Sequence, residues 1–216
     1  MAKKPLEEAP PPRRGPRPSV EVRDVLLRAA ADLVAERGLS DIPLRMVAER
    51  AGVTPAMVGY YFDRKDGLWD ALVVSGMEAI RGAIAPSVMG QAGAPELAVV
   101  IEGVMRTLHA RPWMPVLVLR SLWGAPKHRS GVALQQAPIN LALMRTLLAR
   151  ARVDGRPLRS DVPVEAIILV IVSTTVFPVL ARPVLERALG RPFDEAFCRE
   201  LAQSVAALIA HPQEAP

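Results

Sequence analysis

Apolar residues recur every three or four positions from Val22 onward, and nowhere in the 216 residues do they alternate with polar ones over a strand's length. That periodicity points to an all-α fold. Val22, Val25, Leu26, Ala29, Ala30, Leu33 and Val34 mark one face of a helix over 20–37, with Gly38 as its stop signal. A short second helix fits Leu44 to Ala51, with Asp41 or Pro43 near its start and Gly52 at its end. Thr54 is a good N-cap and Pro55 a good first-turn residue for a third helix reaching Tyr61 or Phe62. After the polar break Asp63-Arg64-Lys65, a long fourth helix runs from about Asp66 to Ile84 and ends at Pro86. Further helices are expected at about 94–110, 112–124, 137–153, 163–180 and 193–210, which makes about nine, with Pro178 kinking or ending its own.

Composition sets limits on chemistry. Half the residues are hydrophobic, ample for a buried core. The single cysteine, Cys198, forms no internal disulfide, and His109, His128 and His211 show no zinc spacing. No metal site, cofactor or catalytic residue is expected. Ser173, Thr174 and Thr175 have no histidine near them in sequence, and Glu165 and Glu186 lack evident partners. The longest uncharged apolar run, Ala166 to Ala181, is 16 residues and short of the ~20 that span a bilayer. The first residues carry no apolar segment after Lys3 and Lys4, so a cytoplasmic protein without a membrane partner is expected. The net charge of +5 is unevenly spread: +3 over 1–18, −2 over 19–73 and +4 over 74–216. A basic, proline-rich, disordered arm (1–18), two helical domains (19–66 and 67–211) and a disordered tail (212–216) are expected.

The second and third helices, joined by about three residues, read as a helix-turn-helix. Gly52 permits the left-handed backbone of a tight turn. Val47, Ala48, Val53 and Val58 supply compact packing. Thr54, Pro55, Ala56, Gly59 and Tyr60 make an outer face small enough for a major groove. On spacing alone, a plain helical hairpin fits as well.

The run AADLVAERGLSDIPLRMVAERAGVTPAMVGYYFDRKDGLWDAL (30–72) resembles the N-terminal domain of TetR-family transcriptional regulators. The likeness rests on Ala-Glu-Arg-Gly at 35–38, the segment Val47 to Val53, Tyr60-Tyr61-Phe62, and Lys65 before Leu68. It implies that Arg45, Tyr60, Tyr61 and Lys65 contact the DNA backbone. Thr54 would offer a hydroxyl or backbone N–H to a phosphate. Phe62 reads as a core plug. One departure stands out: the third helix has no Arg, Lys, Asn or Gln, the side chains that pair bidentately with purines. Base reading would then rest on Thr54, Tyr60, apolar contacts from Pro55 or Ala56, and DNA shape. Arg13, Arg14 or Arg17 of the arm could supply phosphate or minor-groove contacts; a merely solubilising arm fits equally.

The resemblance further implies a homodimer through the last two helices, a palindromic operator in double-stranded DNA, and a small-molecule effector held among helices four to eight. Helix 163–180 is apolar nearly all round and reads as fully buried, covered by the last helix and the same pair from a second subunit. Candidate pocket residues are Met105, His109, Trp113, Met114, Leu117, Trp123, Met144, Thr174 and Phe177, each of which fits ordinary core packing too. Few ionisable groups lie in these segments, so a mostly apolar or neutral ligand is expected. The reading is a repressor released by its ligand; an activator has the same features. An enzyme whose groups converge only on folding, and a helical module that has lost DNA binding, are the competing readings.

Overall fold

The computed structural model describes residues 20–38, 42–63, 65–90, 94–123 and 131–211, with the side chain of Lys65 outside that set. The expected contributions of the 1–18 arm, and of Lys65 as a phosphate contact, therefore lie outside the described residues. Among the described residues, ten helices follow one another: α1 (Val20–Arg37), α2 (Leu44–Ala51), α3 (Pro55–Phe62), α4 (Lys65–Met89), α5 (Leu97–His109), α6 (Trp113–Trp123), α7 (Val132–Arg150), α8 (Val164–Leu180), α9 (Arg182–Leu189) and α10 (Glu195–Ile209). No named strand occurs among the described residues; three isolated bridges involve the α7–α8 connector. The fold is all-α.

Helices α1, α2 and α3 pack into a small head, and α4 lies against both α1 and α3 before continuing into a bundle with α5, α6 and α7. Helix α8 packs on α5, α6 and α7, and α10 closes the far side against α5 and α8. Buried side chains form one cluster from Leu26 in the head, through Leu68 and Leu72 on α4, to Ile209 on α10. The α7–α8 connector is held by backbone pairs. Arg152 N–H donates to the Pro95 carbonyl (2.9 Å), Leu97 N–H to that of Arg152 (2.9 Å), and His211 N–H to that of Pro157 (2.9 Å).

The prolines account for most departures from expectation. Helix α4 does not end at Pro86 but continues to Met89, and α7 starts at Val132 rather than 137, enclosing Pro138. Both prolines are on exposed faces, where water can take the carbonyl that the missing N–H would have engaged. Helix α8 also runs through Pro178 to Leu180, then turns by 89° at Ala181 into α9, a helix not expected from the sequence. Helix α7 ends at Arg150, before the expected 153.

Helix α8 is not fully buried within the chain. Ile167, Ile168, Ile171, Thr175 and Pro178 face inward, whereas Leu169 is 66% and Phe177 59% exposed, and Val170 and Val172 are exposed as well. The two glutamates that lacked partners in sequence both find them. Glu165 accepts from Arg145 at 3.1 Å. Glu186 accepts from the Phe193 N–H (2.9 Å) and from Arg182 (3.0 Å), which together hold its carboxyl below the usual range.

Candidate nucleic-acid interface and effector chamber

The head is fixed by a few local devices. Gly52 takes the left-handed conformation (φ 68°) that closes α2. The next N–H, that of Val53, reaches back to the Ala48 carbonyl at 3.0 Å. Val47, Ala48 and Val58 are fully buried where α2 and α3 cross. Nη1 and Nη2 of Arg50 both donate to the Glu36 carboxylate at 2.8 Å, tying α2 to α1 and holding the Glu36 carboxyl below its ordinary range. Phe62 is buried at the end of α3, with the Arg23 guanidinium 5.6 Å from its ring centre.

What the head leaves open is the outer side of α3. Thr54, Pro55, Ala56, Gly59 and Tyr60 are all exposed, Tyr60 by 58%. Thr54 occupies the N-cap with extended backbone, but its side chain makes no capping hydrogen bond, contrary to the usual service of that residue. Tyr61 is half-buried and meets Tyr60 edge to face at 5.5 Å between ring centres. Arg45 projects from the start of α2, its side chain 81% exposed and paired with Glu49 at 2.8 Å.

The junction of head and bundle is tight. A Cβ on Gly67 would lie 2.2 Å from the Phe62 carbonyl oxygen, so only glycine lets α4 start beneath the end of α3. Nine residues on, a Cβ on Gly76 would lie 2.8 Å from Met114 Cγ, where α4 crosses α6. No pattern of apolar spacing marks these two positions, because each is set by a contact outside its own helix.

A chamber of about 330 Å³ lies in the bundle. Met77, Ile80 and Ile84 line it from α4, Leu108 from α5, and Met114, Pro115, Val118 and Leu119 from α6. Ala137, Asn140, Leu141 and Met144 face it from α7, and Ile168, Val172, Thr175 and Val176 from α8. Its volume sits at the lower end of small-molecule sites. Among the described residues, Asn140 and Thr175 are the only polar side chains on its wall, and the Thr175 hydroxyl already donates to the Ile171 carbonyl at 2.8 Å.

Of the nine candidate pocket residues, the structure brings Met114 and Met144 to this wall. Met105 is buried elsewhere in the core and His109 is half-buried. Trp113 faces a separate groove of about 390 Å³ between α1, α4 and the α5–α6 turn. Leu117 borders a small crevice beside Trp69, while Trp123 (73% exposed) and Phe177 point outward. Thr174 is half-buried, with its hydroxyl bonded to the Val170 carbonyl at 2.7 Å. Sequence reasoning passed over Met77, Ile80 and Ile84. Their spacing on α4 was a usable signal, obscured by an assumed helix end at Ile84. Asn140 gave no signal of its own.

The head has the arrangement of a helix-turn-helix DNA-binding domain: two short crossed helices, a third behind them, and an open second face. Comparison with known proteins is specific. Residues 26–72 match the family described as bacterial regulatory proteins, tetR family. The chain carries the DNA-binding domain of the TetR family of transcriptional regulators. A curated relative, the HTH-type transcriptional regulator BetI of Stenotrophomonas maltophilia (strain R551-3), is 32% identical over 63 residues. That match spans 29% of this chain and about a third (32%) of the relative's length.

Solved structures share the fold over nearly the whole chain. PfmR of Thermus thermophilus, a TetR-family regulator, matches with TM-score 0.64 and 17% identity over 90% of this chain and 98% of its own. FadR of Bacillus subtilis, solved with stearoyl-CoA, matches with TM-score 0.65 and 16% identity over 86% and 98%. The multidrug binding protein EbrR, complexed with imidazole, gives 0.56 and 21% over 91% and 94%.

Proposed function

We propose that the protein is a cytoplasmic, dimeric DNA-binding repressor released from a palindromic operator by a small molecule held in the bundle chamber. The observation that carries this reading is the course of α4. One end abuts α3 at Gly67 and Phe62, and its middle lines the chamber with Met77, Ile80 and Ile84. A ligand that prefers one placement of α4 thereby biases the orientation of α3, by as much as its affinity differs between the two placements. Met114 of α6 faces the same chamber and also packs over the bare Gly76 position of α4.

On the DNA, the exposed Thr54, Pro55, Ala56, Gly59 and Tyr60 would enter the major groove. Arg45, Tyr61 and Lys65 would contact the backbone. With no base-pairing cation or amide on α3, discrimination rests on thymine methyls and groove shape. The domain boundaries follow: head to residue 66, bundle from 67. The uncovered apolar side of α8, together with α10, is the surface proposed for the second subunit, with Leu169 and Phe177 at its centre. No group in this scheme performs catalysis. FadR with stearoyl-CoA and EbrR with imidazole show that this fold holds ligands of very different size in those proteins.

A DNA-binding titration of the full chain on its own upstream region, at several salt concentrations, tests the proposal. A protected palindrome with affinity falling steeply as salt rises is the expected result. Binding no tighter than to random DNA, both there and in a selection from genomic fragments, would overturn it.

A further inference from the structure

Of the two polar side chains on the chamber wall among the described residues, Thr175 has its hydroxyl committed to the Ile171 carbonyl, and the surroundings of the other, Asn140, are electrically unusual. Behind the wall, next to the lining residue Ile80 on α4, lies Arg81, which does not itself line the chamber and whose side chain is only 22% exposed. Its Nη1 donates to two neutral acceptors on α7, Gln136 Oε1 at 3.1 Å and Asn140 Oδ1 at 3.0 Å. Among the described residues its carboxylate partner is Glu78, 3.8 Å away and itself well exposed, so the cation is incompletely neutralised on the side facing the bundle. Asn140 carries this charge onto the wall. Its oxygen takes the guanidinium, and its Nδ2 has Met77 Sδ at 3.1 Å as its contact among the described residues. A thioether is a weak acceptor, so the amide N–H groups, polarised by Arg81, hold spare donor capacity at the edge of an apolar space.

We infer that the chamber takes a medium-chain carboxylate, with its apolar tail among the Met, Ile and Val side chains and its carboxylate on the Asn140 amide that Arg81 polarises. This rests on the proposal that the chamber is the effector site, and it names the ligand's chemistry. Size follows from volume. A cavity of about 150 Å³ holds benzene, with its six carbons, so about 330 Å³ accommodates roughly a dozen non-hydrogen atoms. Decanoate, with twelve, has that size. Charge follows from the wall: a carboxylate gains charge-assisted bonds there, an alcohol gains neutral ones, and an ammonium meets a like charge. The arrangement thus narrows the mostly apolar or neutral ligand expected from sequence to an apolar ligand with an anionic end.

The experiment is calorimetric titration of the full chain, without DNA, with decanoate, decanol and decylamine below their aggregation limits. Decanoate is expected to bind about tenfold tighter than decanol, since bonds to charged groups exceed neutral ones by about that factor, and decylamine to bind weakest. Arg81→Gln should abolish the preference for acid over alcohol while decanol binding persists. Asn140→Leu should weaken decanoate and leave decanol little changed, and Arg81→Lys should retain part of the preference. If the three probes bind the wild type alike, or if Arg81→Gln keeps the preference, the carboxylate assignment is wrong while the effector chamber stands. If none binds, the chamber reading itself falls.

Discussion

The head and the bundle carry opposite kinds of surface. The head is built from helices as short as eight residues around a small core of Leu26, Leu33, Ile42, Val47 and Val58, and its exposed side is made mostly of small groups, with Tyr60 as the exception. The bundle is built from longer helices whose apolar side chains exceed what one chain can cover. That excess remains as an internal chamber and as the bare side of α8. In the head, function resides in what compact side chains leave open; in the bundle, in what apolar side chains fail to fill or cover. The two meet along α4, which is why its two crowded glycine positions matter more than any single contact in either half.

The largest effect should come from the head's core. Leu33 is almost wholly buried, and Leu33→Ala should cost about 2–5 kcal/mol through lost burial and a residual cavity. Because the buried cluster runs from Leu26 through Leu68 to the bundle, one unfolding transition is expected, shifted as a whole. Urea titration followed by circular dichroism and by tryptophan emission checks this. Two separate transitions, with only the first displaced, would show that head and bundle are independent units and would weaken the role given to α4.

Gly67→Ala comes next. The added methyl would meet the Phe62 carbonyl at 2.2 Å, so α3 and α4 must move apart, at about 1–3 kcal/mol. The comparison sharpens if operator affinity falls even at temperatures where the variant is fully folded, while decanoate binding in the bundle stays unchanged. Thermal melting, DNA titration and calorimetry on one preparation separate these outcomes.

The same contrast explains what could be read from the sequence. The head was legible because its devices are local: Gly52 in the turn, Pro55 in the first turn, Val47 and Val58 at helical spacing, Tyr60 exposed. The α8 stripe was legible as apolar and in need of cover from a second subunit, but periodicity could not say which of its residues the chain itself covers. The chamber was legible only at Met114 and Met144. Its remaining walls come from five helices, and the pairing of Arg81 with Asn140 joins residues 59 positions apart. Trp123 and Phe177 were attractive because aromatic rings are usually covered, yet both point out of the fold. Pro86 misled because exposure, which sequence does not print, decides whether a helix tolerates proline.

Thr54→Ala separates recognition from stability within the head. An N-cap threonine usually stabilises its helix by about 1 kcal/mol through a side-chain bond, but here that bond is absent. The melting temperature should therefore change little, while operator affinity falls by roughly tenfold if the hydroxyl meets a phosphate. Lost stability with unchanged DNA binding would reverse the assignment of this residue from contact to cap.

The smallest effect expected concerns pH and the seam between α1 and α2. The Arg50 guanidinium holds the Glu36 carboxyl below its ordinary range, so folding favours the ionised form. A carboxyl lowered in the folded state contributes stability above its unfolded value and loses that contribution as pH falls through the folded one. Glu36→Gln should thus be slightly less stable than the parent at neutral pH, and the two melting curves should converge in acid. The bundle carries three similar carboxyls, Asp161 against Arg159, Glu186 against Arg182 and the Phe193 N–H, and Glu200 against Arg191, all held low. Acid therefore loosens both halves. Because these pairs are exposed, added salt should narrow the neutral-pH gap between Glu36→Gln and the parent. A gap that salt leaves untouched would mean that Glu36 acts through packing at the α1–α2 seam rather than through its charge.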